Sequence, residues 1–356
     1  MNLEQLVGAA VVLIFLADIF LTVLYARAGT SLIARYVNRA AWQLISAVSG
    51  LLRRSGGRVL SLGGPIIVVL VILTWAVGLT LGAGLIMQPL LGSSVKPSSG
   101  STPHDFMTAW FVGANSMSIV SAGDYSPHTP ATRLLFMFNA LAGASALSLT
   151  LSYLIQVYSA LRERNTVALT VDMMSDCTGD AARALARLGA DGKFEGGYSE
   201  LANLASSLAG LKEAHHFYPL LFYFRFRDER YSVSRVCFVI LDLVTLMSTA
   251  LDQEQFGWLV RSSAVARLRH GSELLLQVLE VGLPTRAPSQ PQDEQLDRMR
   301  EHYAACCREL QASGLQTSSG GAETYVAERM KWERRIVSVA PVLGYSMEDV
   351  TGIAAA

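Results

Sequence analysis

The sequence predicts an all-α membrane protein, with three transmembrane helices followed by a helical soluble domain. Of its 356 residues 51% are hydrophobic and only 16% are charged, and the mean hydropathy is +0.34. A hydrocarbon core of about 30 Å is crossed by roughly 20 helical residues. Three apolar runs reach that length, and most of the charge follows them. The runs are Leu6–Tyr25, Pro65–Met87 and Leu134–Tyr158.

The first run belongs to an N-terminal transmembrane segment, residues 1–30, and contains Asp18. An acid inside a membrane span indicates a functional role or a buried pair. The other two runs hold no lysine or arginine to pair with it. A protonated or hydroxyl-bonded structural aspartate is therefore the alternative, and we favour it. A cleaved signal peptide is a rival interpretation of residues 1–25, but the first charged residue is acidic rather than basic.

The next segment, residues 31–64, is predicted to be cytoplasmic. Leu32–Leu52 has apolar residues at helical spacing, which indicates an interfacial amphipathic helix at the lipid surface. A helix packed on the soluble domain is the alternative. The connection Ala26–Gly64 carries six arginines and no acid, whereas the 88–132 loop has Lys96 as its only lysine or arginine. The positive-inside rule then places the N-terminus outside and the C-terminal domain in the cytoplasm.

Several short fragments follow one another between the second and third runs. Ala109-Trp110-Phe111-Val112 has a small residue before two aromatics, Gly123-Asp124 comes next, Pro127–Arg133 has the pattern Pro-x-Thr-Pro-x-x-Arg, and Gly143 lies beyond it. Their joint spacing resembles the two-helix pore module of the potassium channel superfamily, without gaps from Ala109 to Gly143.

The resemblance implies a pore module over residues 65–161, with a re-entrant pore helix and filter between two spans. Its parts are an outer helix 65–87, a pore helix 105–117, a filter 118–124 and an inner helix 134–158. It also implies a homotetramer around a cation pore, with Gly143 at the position of a gating hinge. The chain shows no repeated arginines of a voltage sensor. We therefore expect gating by the cytosolic domain.

The filter positions depart from the family signature Thr-Val-Gly-Tyr-Gly-Asp. Ile119 stands in place of the threonine, Ser121 in place of the first glycine and Ala122 in place of the tyrosine. A non-glycine residue at positive φ costs about 1 kcal/mol or more. We expect a wider constriction, weakly selective among monovalent cations such as potassium and sodium. Residues expected to form this filter are Ser118, Ile119, Val120, Ser121, Ala122, Gly123 and Asp124.

Asp124 has two interpretations that are compatible with each other. Four copies would form a ring of acids at the outer mouth, which raises the local cation concentration. The alternative is a simple turn residue.

The chain as a whole also has an alternative function. If the filter no longer conducts ions, the chain is instead a non-conducting membrane receptor or scaffold with the channel architecture.

Residues 164–356 predict a helical cytosolic domain. Expected helices include Val167–Leu188, Phe217–Phe226 and Gln255–Leu279. Arg235 and Asp242 interrupt the apolar stretch Val233–Leu251, so its uncharged part is too short for a fourth span. This stretch predicts a buried helix instead. No Gly-x-Gly-x-x-Gly follows a predicted strand, so the sequence leaves any cytosolic ligand unidentified.

Other classes of function find little support in the sequence. The adjacent His215 and His216 would point about 100° apart on a helix, which makes a poor metal pair. Cys306-Cys307 lacks the Cys-x-x-Cys spacing of zinc and redox sites. Net charge is zero and no basic cluster is interleaved with aromatics, so nucleic-acid binding is not indicated. We expect no enzyme, cofactor or metal site, and a location in a cell membrane, the inner membrane in bacteria.

Overall fold

The computed structural model describes residues 2–25, 30–52, 56–120, 123–283 and 293–351. The chain is mostly helical and divides into two compact units. The first unit comprises Met1–Leu44 and Pro65–Tyr158, and the second comprises Ile45–Gly64 and Ser159–Ala356. The prediction of three apolar spans is confirmed, because among the described residues three helices are long and apolar enough to cross a membrane. They are Leu3–Val23, Gly63–Leu90 and Pro130–Met174.

In the part of the chain that the structure describes, six α-helices precede the C-terminal region, and one pair of short strands lies among them. The helices are α1 (Leu3–Val23), α2 (Ala34–Leu51), α3 (Gly56–Ser61), α4 (Gly63–Met87), α5 (Phe106–Met117) and α6 (Pro130–Met174). The strands are β1 (Val95–Pro97) and β2 (Tyr125–Pro127), which pair antiparallel. The all-α expectation did not include this small sheet.

Helices α1 and α4 meet at glycines. A Cβ added to Gly8 would lie 2.6 Å from the carbonyl oxygen of Gly82, and one added to Gly82 would lie 2.8 Å from Val12 Cγ2. In lipid, the hydrophobic effect does not drive apolar helices to associate. Small residues let the two backbones approach closely enough to pack against each other. Large side chains on the same helices point away from the chain: Leu13 is 61% exposed and Val69 is 54% exposed.

The second unit is built around one buried helix. Among the residues described after α6, the eight α-helices are α7 (Ala181–Leu188), α8 (Glu195–Phe217), α9 (Val233–Thr249), α10 (Gln253–Val260), α11 (Ser263–Gly282), α12 (Asp293–Ala312), α13 (Ala322–Val339) and α14 (Met347–Thr351). Helix α9 is buried on nearly every side and packs against α7, α11 and α13. The prediction of a buried helix at this position is confirmed.

Three helix boundaries in this unit were predicted wrongly. The expected helix Val167–Leu188 is broken after Met174, where Asp176 and Cys177 adopt φ of 53° and 61°. The Asp180 side chain then caps α7 by accepting from the backbone N–H of Ala182 at 2.8 Å.

The second and third of these errors have equally local causes. The expected helix Gln255–Leu279 is two helices, because Ser262 starts α11 by accepting from the backbone N–H of Val265 at 3.4 Å. In place of the expected helix Phe217–Phe226 there is a short 3₁₀ turn, Pro219–Tyr223, since proline lacks the N–H that a continuing helix needs.

Candidate functional site: the loop between α4 and α6

Helix α5 begins at a capped turn. The Asp105 carboxylate accepts from the backbone N–H of Thr108 at 2.9 Å and from its hydroxyl at 2.8 Å. The hydrogen bond from the Thr108 backbone N–H is the main reason why the pKa of Asp105 lies below its usual value. The helix ends at Met117, after which Ser118 is extended, with φ −72° and ψ 143°. The sequence expectation of a helix over 105–117 differs from the observed bounds by one residue.

Backbone contacts fix α5 to α4. A Cβ on Gly113 would collide with the backbone of Gly84, and a Cβ on Gly84 would lie 2.8 Å from Trp110 Cα. The Trp110 indole N–H also donates to the hydroxyl of Thr80 at 3.0 Å. These residues were not predicted as functional, because nothing in the sequence shows that Gly84 and Gly113 face each other.

The other side of α5 contacts α6. A Cβ on Gly143 would overlap the carbonyl oxygen of Met117. Nearby, the buried Asn139 amide donates to Ser116 Oγ at 2.9 Å, and that hydroxyl donates to the Gly113 carbonyl at 2.7 Å. Helix α6 is continuous through Gly143. The structure therefore supplies a packing reason for this glycine, and its role as a hinge stays a prediction.

The residues predicted to form the filter start where α5 ends. Ser118 Oγ donates to the carbonyl of Val120 at 3.0 Å and accepts from its N–H at 3.2 Å. Ile119 is 68% exposed and Val120 is 81% exposed. Ser121 and Ala122 lie outside the described residues.

Residues 118–124 are called the strip below. At its far end, the chain is hydrogen-bonded to the segment that precedes α5. Gly123 has φ +74°, in the region that glycine tolerates, and both Gly123 and Asp124 are exposed. Ser98 donates through its hydroxyl to the Gly123 carbonyl at 2.8 Å and through its N–H to the Asp124 carbonyl at 2.8 Å. No sequence pattern indicated this role of Ser98.

The strands β1 and β2 continue the same attachment. Lys96 lies opposite Ser126, with Val95 and Pro97 paired on either side of it. Residues 98–124 therefore leave and rejoin the rest of the first unit at one place. These residues form one loop, which contains α5 and the strip that follows it. The loop is attached to the rest of the first unit where it begins and where it ends.

Asp18 forms a second polar centre in the first unit. It is fully buried, and its Oδ1 accepts from the backbone N–H groups of Leu32 at 2.6 Å and Ile33 at 2.7 Å. Oδ2 accepts from Ala34 N–H at 3.2 Å and from the Trp75 indole N–H at 2.7 Å. Asp18 thus satisfies the N–H groups at the start of α2. This supports the structural interpretation, with N–H donors in place of hydroxyls.

Among the described residues, no three His, Cys, Asp or Glu side chains come together as metal ligands. Comparison of the chain with protein families, with curated proteins and with solved structures finds no match. The assignment of a function therefore rests on the geometry of the loop and on the residues within it.

Proposed function

We propose that this chain is a potassium-channel-like homotetrameric channel, which conducts monovalent cations passively through a pore lined by residues 118–124. The observation that carries the proposal is the attachment of the 98–124 loop at one place through β1, β2 and Ser98. Helix α5 has 12 residues, or about 18 Å at 1.5 Å per residue. A loop of that length, flanked by two apolar spans, fits a segment that enters about half of a hydrocarbon core and returns.

The direction of α5 favours a cation. Its C-terminal end, at Met117, carries the partial negative charge of the helix dipole and adjoins the strip. Asp124 is exposed at the other end of the strip, where four copies would attract cations. Both features act on charge rather than on ion size, so they support conduction without potassium selectivity.

A tetramer is part of the proposal, since the pore-forming helices of one chain do not enclose a pore. Ile119 and Val120 expose most of their surface in the isolated chain, as do Leu141 and Ile155 on α6. Neighbouring copies and membrane lipid would cover such apolar surface. Ser98 would hold the outer end of each strip by hydrogen bonds, in a chain that has Ala122 where the family signature has a tyrosine.

The proposed topology follows the arginine distribution, with the N-terminus outside and the second unit in the cytoplasm of a cell membrane, the inner membrane in bacteria. Helix α6 runs from Pro130 to Met174 without interruption. The second unit would thus gate the pore by pulling on α6 near residues 158–165.

Cation flux from purified full-length protein in liposomes tests the proposal. We expect both potassium and sodium to cross, and N-methylglucamine to cross more slowly. Asp124→Asn should lower the flux of both small cations, whereas Glu254→Gln on the exposed surface of the second unit should not. If no cation crosses, the chain is a receptor or scaffold. If potassium crosses with strong preference, the weak selectivity inferred from Ser121 and Ala122 in the sequence is wrong.

A further inference from the structure

Helix α6 buries an asparagine within its apolar part. Asn139 lies between Phe138 and Ala140 in the run that predicts the third span, and it is 1% exposed. A polar side chain inside a membrane span is costly and marks a position with a role. The residues assigned to the pore do not include it.

The amide of Asn139 connects α6 to the last turn of α5. Its Nδ2 donates to Ser116 Oγ at 2.9 Å, and the Ser116 hydroxyl donates to the carbonyl of Gly113 at 2.7 Å. One turn further along α6, Gly143 lies against the carbonyl of Met117, where a Cβ would overlap the oxygen. Helix α6 therefore fixes the end of α5 at two points, one by a hydrogen bond and one by close contact.

Stability does not account for the asparagine. Its Oδ1 is buried and has no hydrogen-bond partner among the described residues, and an unsatisfied buried acceptor costs about as much as one interhelical hydrogen bond contributes. Ser116 does not depend on Asn139, because its hydroxyl already has an acceptor in the carbonyl of Gly113. An apolar side chain of similar size would avoid the unsatisfied oxygen. The remaining effect of the amide is on where the end of α5 lies relative to α6.

The strip continues directly from that last turn. The Ser118 N–H donates to the carbonyl of Ala114 at 3.1 Å, and the Ser118 hydroxyl closes a further turn with Val120. Ile119 lies between them and is exposed. Hydrogen bonds thus join the first residues of the strip to α5 and to each other, so a displacement of the end of α5 displaces them with it.

We propose that Asn139 is a positioning residue for the pore, which sets the width of the constriction through its hydrogen bond to Ser116. The proposal rests on the proposed function, because the strip must line a pore for its position to matter. Asn139 is buried, so it acts through α5 and not by contact with the ion. With the hydrogen bond present, the start of the strip is held at the same position in every copy. Without it, Gly143 alone holds the last turn of α5, and the constriction admits a larger cation more readily.

Reversal potentials of the purified full-length protein in planar bilayers test this role. The measured quantity is the permeability of N-methylglucamine relative to potassium, which does not depend on how many channels are folded. Asn139→Leu replaces the amide by an apolar side chain of similar size. We expect the ratio to rise by about threefold, the factor that corresponds to one interhelical hydrogen bond, while the thermal midpoint in detergent stays the same or rises.

A second variant removes the other partner of the bond, and it decides the question if Asn139→Leu does not fold. Ser116→Ala should raise the same ratio, and the double variant should raise it no further, because either change alone already breaks the bond. Thr150→Val is the matched control, since Thr150 is also a buried polar residue of α6 but donates to the carbonyl of Ala146 in its own helix at 2.8 Å. It should leave the ratio as in the wild type.

The outcomes separate this role from the channel itself. If the wild-type protein conducts and both Asn139→Leu and Ser116→Ala keep its ratio, the positioning role is overturned and the channel stands. A ratio that rises as far in Thr150→Val would also overturn the role, because the effect would then come from the polarity of α6 and not from the bond. If the wild-type protein passes no cation, the proposed function fails, and the positioning role fails with it.

Discussion

In the first unit helices approach one another at glycines, at Gly8 with Gly82 and at Gly84 with Gly113, while large side chains point away from the chain. In the second unit large side chains fill a core around α9. Burial of apolar area stabilises a fold in water at about 25 cal/mol per Å². Lipid offers no such gain, so close backbone contact takes its place.

The two units also differ in the groups that surround a buried carboxylate. Asp18 in the first unit is surrounded by four neutral N–H donors. Asp242 in the second unit accepts from Tyr325 OH at 2.6 Å, and it lies 3.4 Å from Arg329 Nη1 and 3.3 Å from His302 Nε2. The first arrangement adds no second charge to an apolar region, whereas the second balances charge with charge.

The largest expected effect comes from breaking the charged arrangement. Arg329 is buried and also binds Glu333 at 2.6 Å. Arg329→Met should destabilise the protein by about 3–5 kcal/mol, because it leaves two buried carboxylates without their cation. Chemical denaturation followed by circular dichroism measures the loss. Arg300→Met, which removes an exposed arginine bound to Glu323, should change the midpoint little. Equal effects of the two variants would contradict the comparison.

The neutral arrangement predicts a smaller loss. Asp18→Asn keeps one acceptor oxygen but leaves the N–H groups near Oδ2, those of Ala34 and Trp75, facing an amide NH₂. We expect a loss of about 2–3 kcal/mol, together with a shift in the fluorescence of Trp75 on thermal unfolding in detergent. Asp105→Asn, which keeps the oxygen that caps α5 at an exposed position, is the control and should lower the midpoint much less. An unchanged midpoint for Asp18→Asn would show that the carboxylate is not needed to cap α2.

His215 allows a test of burial by pH. Its pKa falls from 6.5 in the unfolded chain to about 3 in the fold, so the neutral form is favoured by folding. Stability is therefore complete above pH 6.5 and falls as the pH drops toward 3. At pH 5 the loss is about 2 kcal/mol, and His215→Phe should remove that part of the pH dependence. Chemical denaturation of the wild-type protein and of His215→Phe, each at pH 7.5 and at pH 5, measures this difference. A pH dependence that is the same in both proteins would place its origin elsewhere.

Hydropathy predicted the three spans from the sequence, because a long apolar run needs no partner to be recognised. The surroundings of Asp18 could not be predicted, since its donors come from residues 32–34 and from Trp75, far along the chain. Likewise the break before α7 depends on the Asp180 cap and on the left-handed turn at Asp176, which apolar periodicity does not detect. Within the candidate site, the helix that precedes residue 118 was predictable to within one residue, whereas the hydrogen bonds of Ser98 to residues 123 and 124 were not.

The smallest expected effect concerns Gly143, where two explanations of one glycine differ. As a hinge it would tolerate a methyl group, because alanine also fits a continuous helix. In the structure a Cβ would overlap the carbonyl of Met117, so Gly143→Ala should destabilise the first unit by roughly 1–2 kcal/mol. Gly196→Ala, at a helical glycine with open space around it, should be neutral or slightly stabilising. Thermal midpoints in detergent measure both. If Gly143→Ala unfolds as the wild type does while its cation flux changes, the hinge explains the glycine and close packing does not.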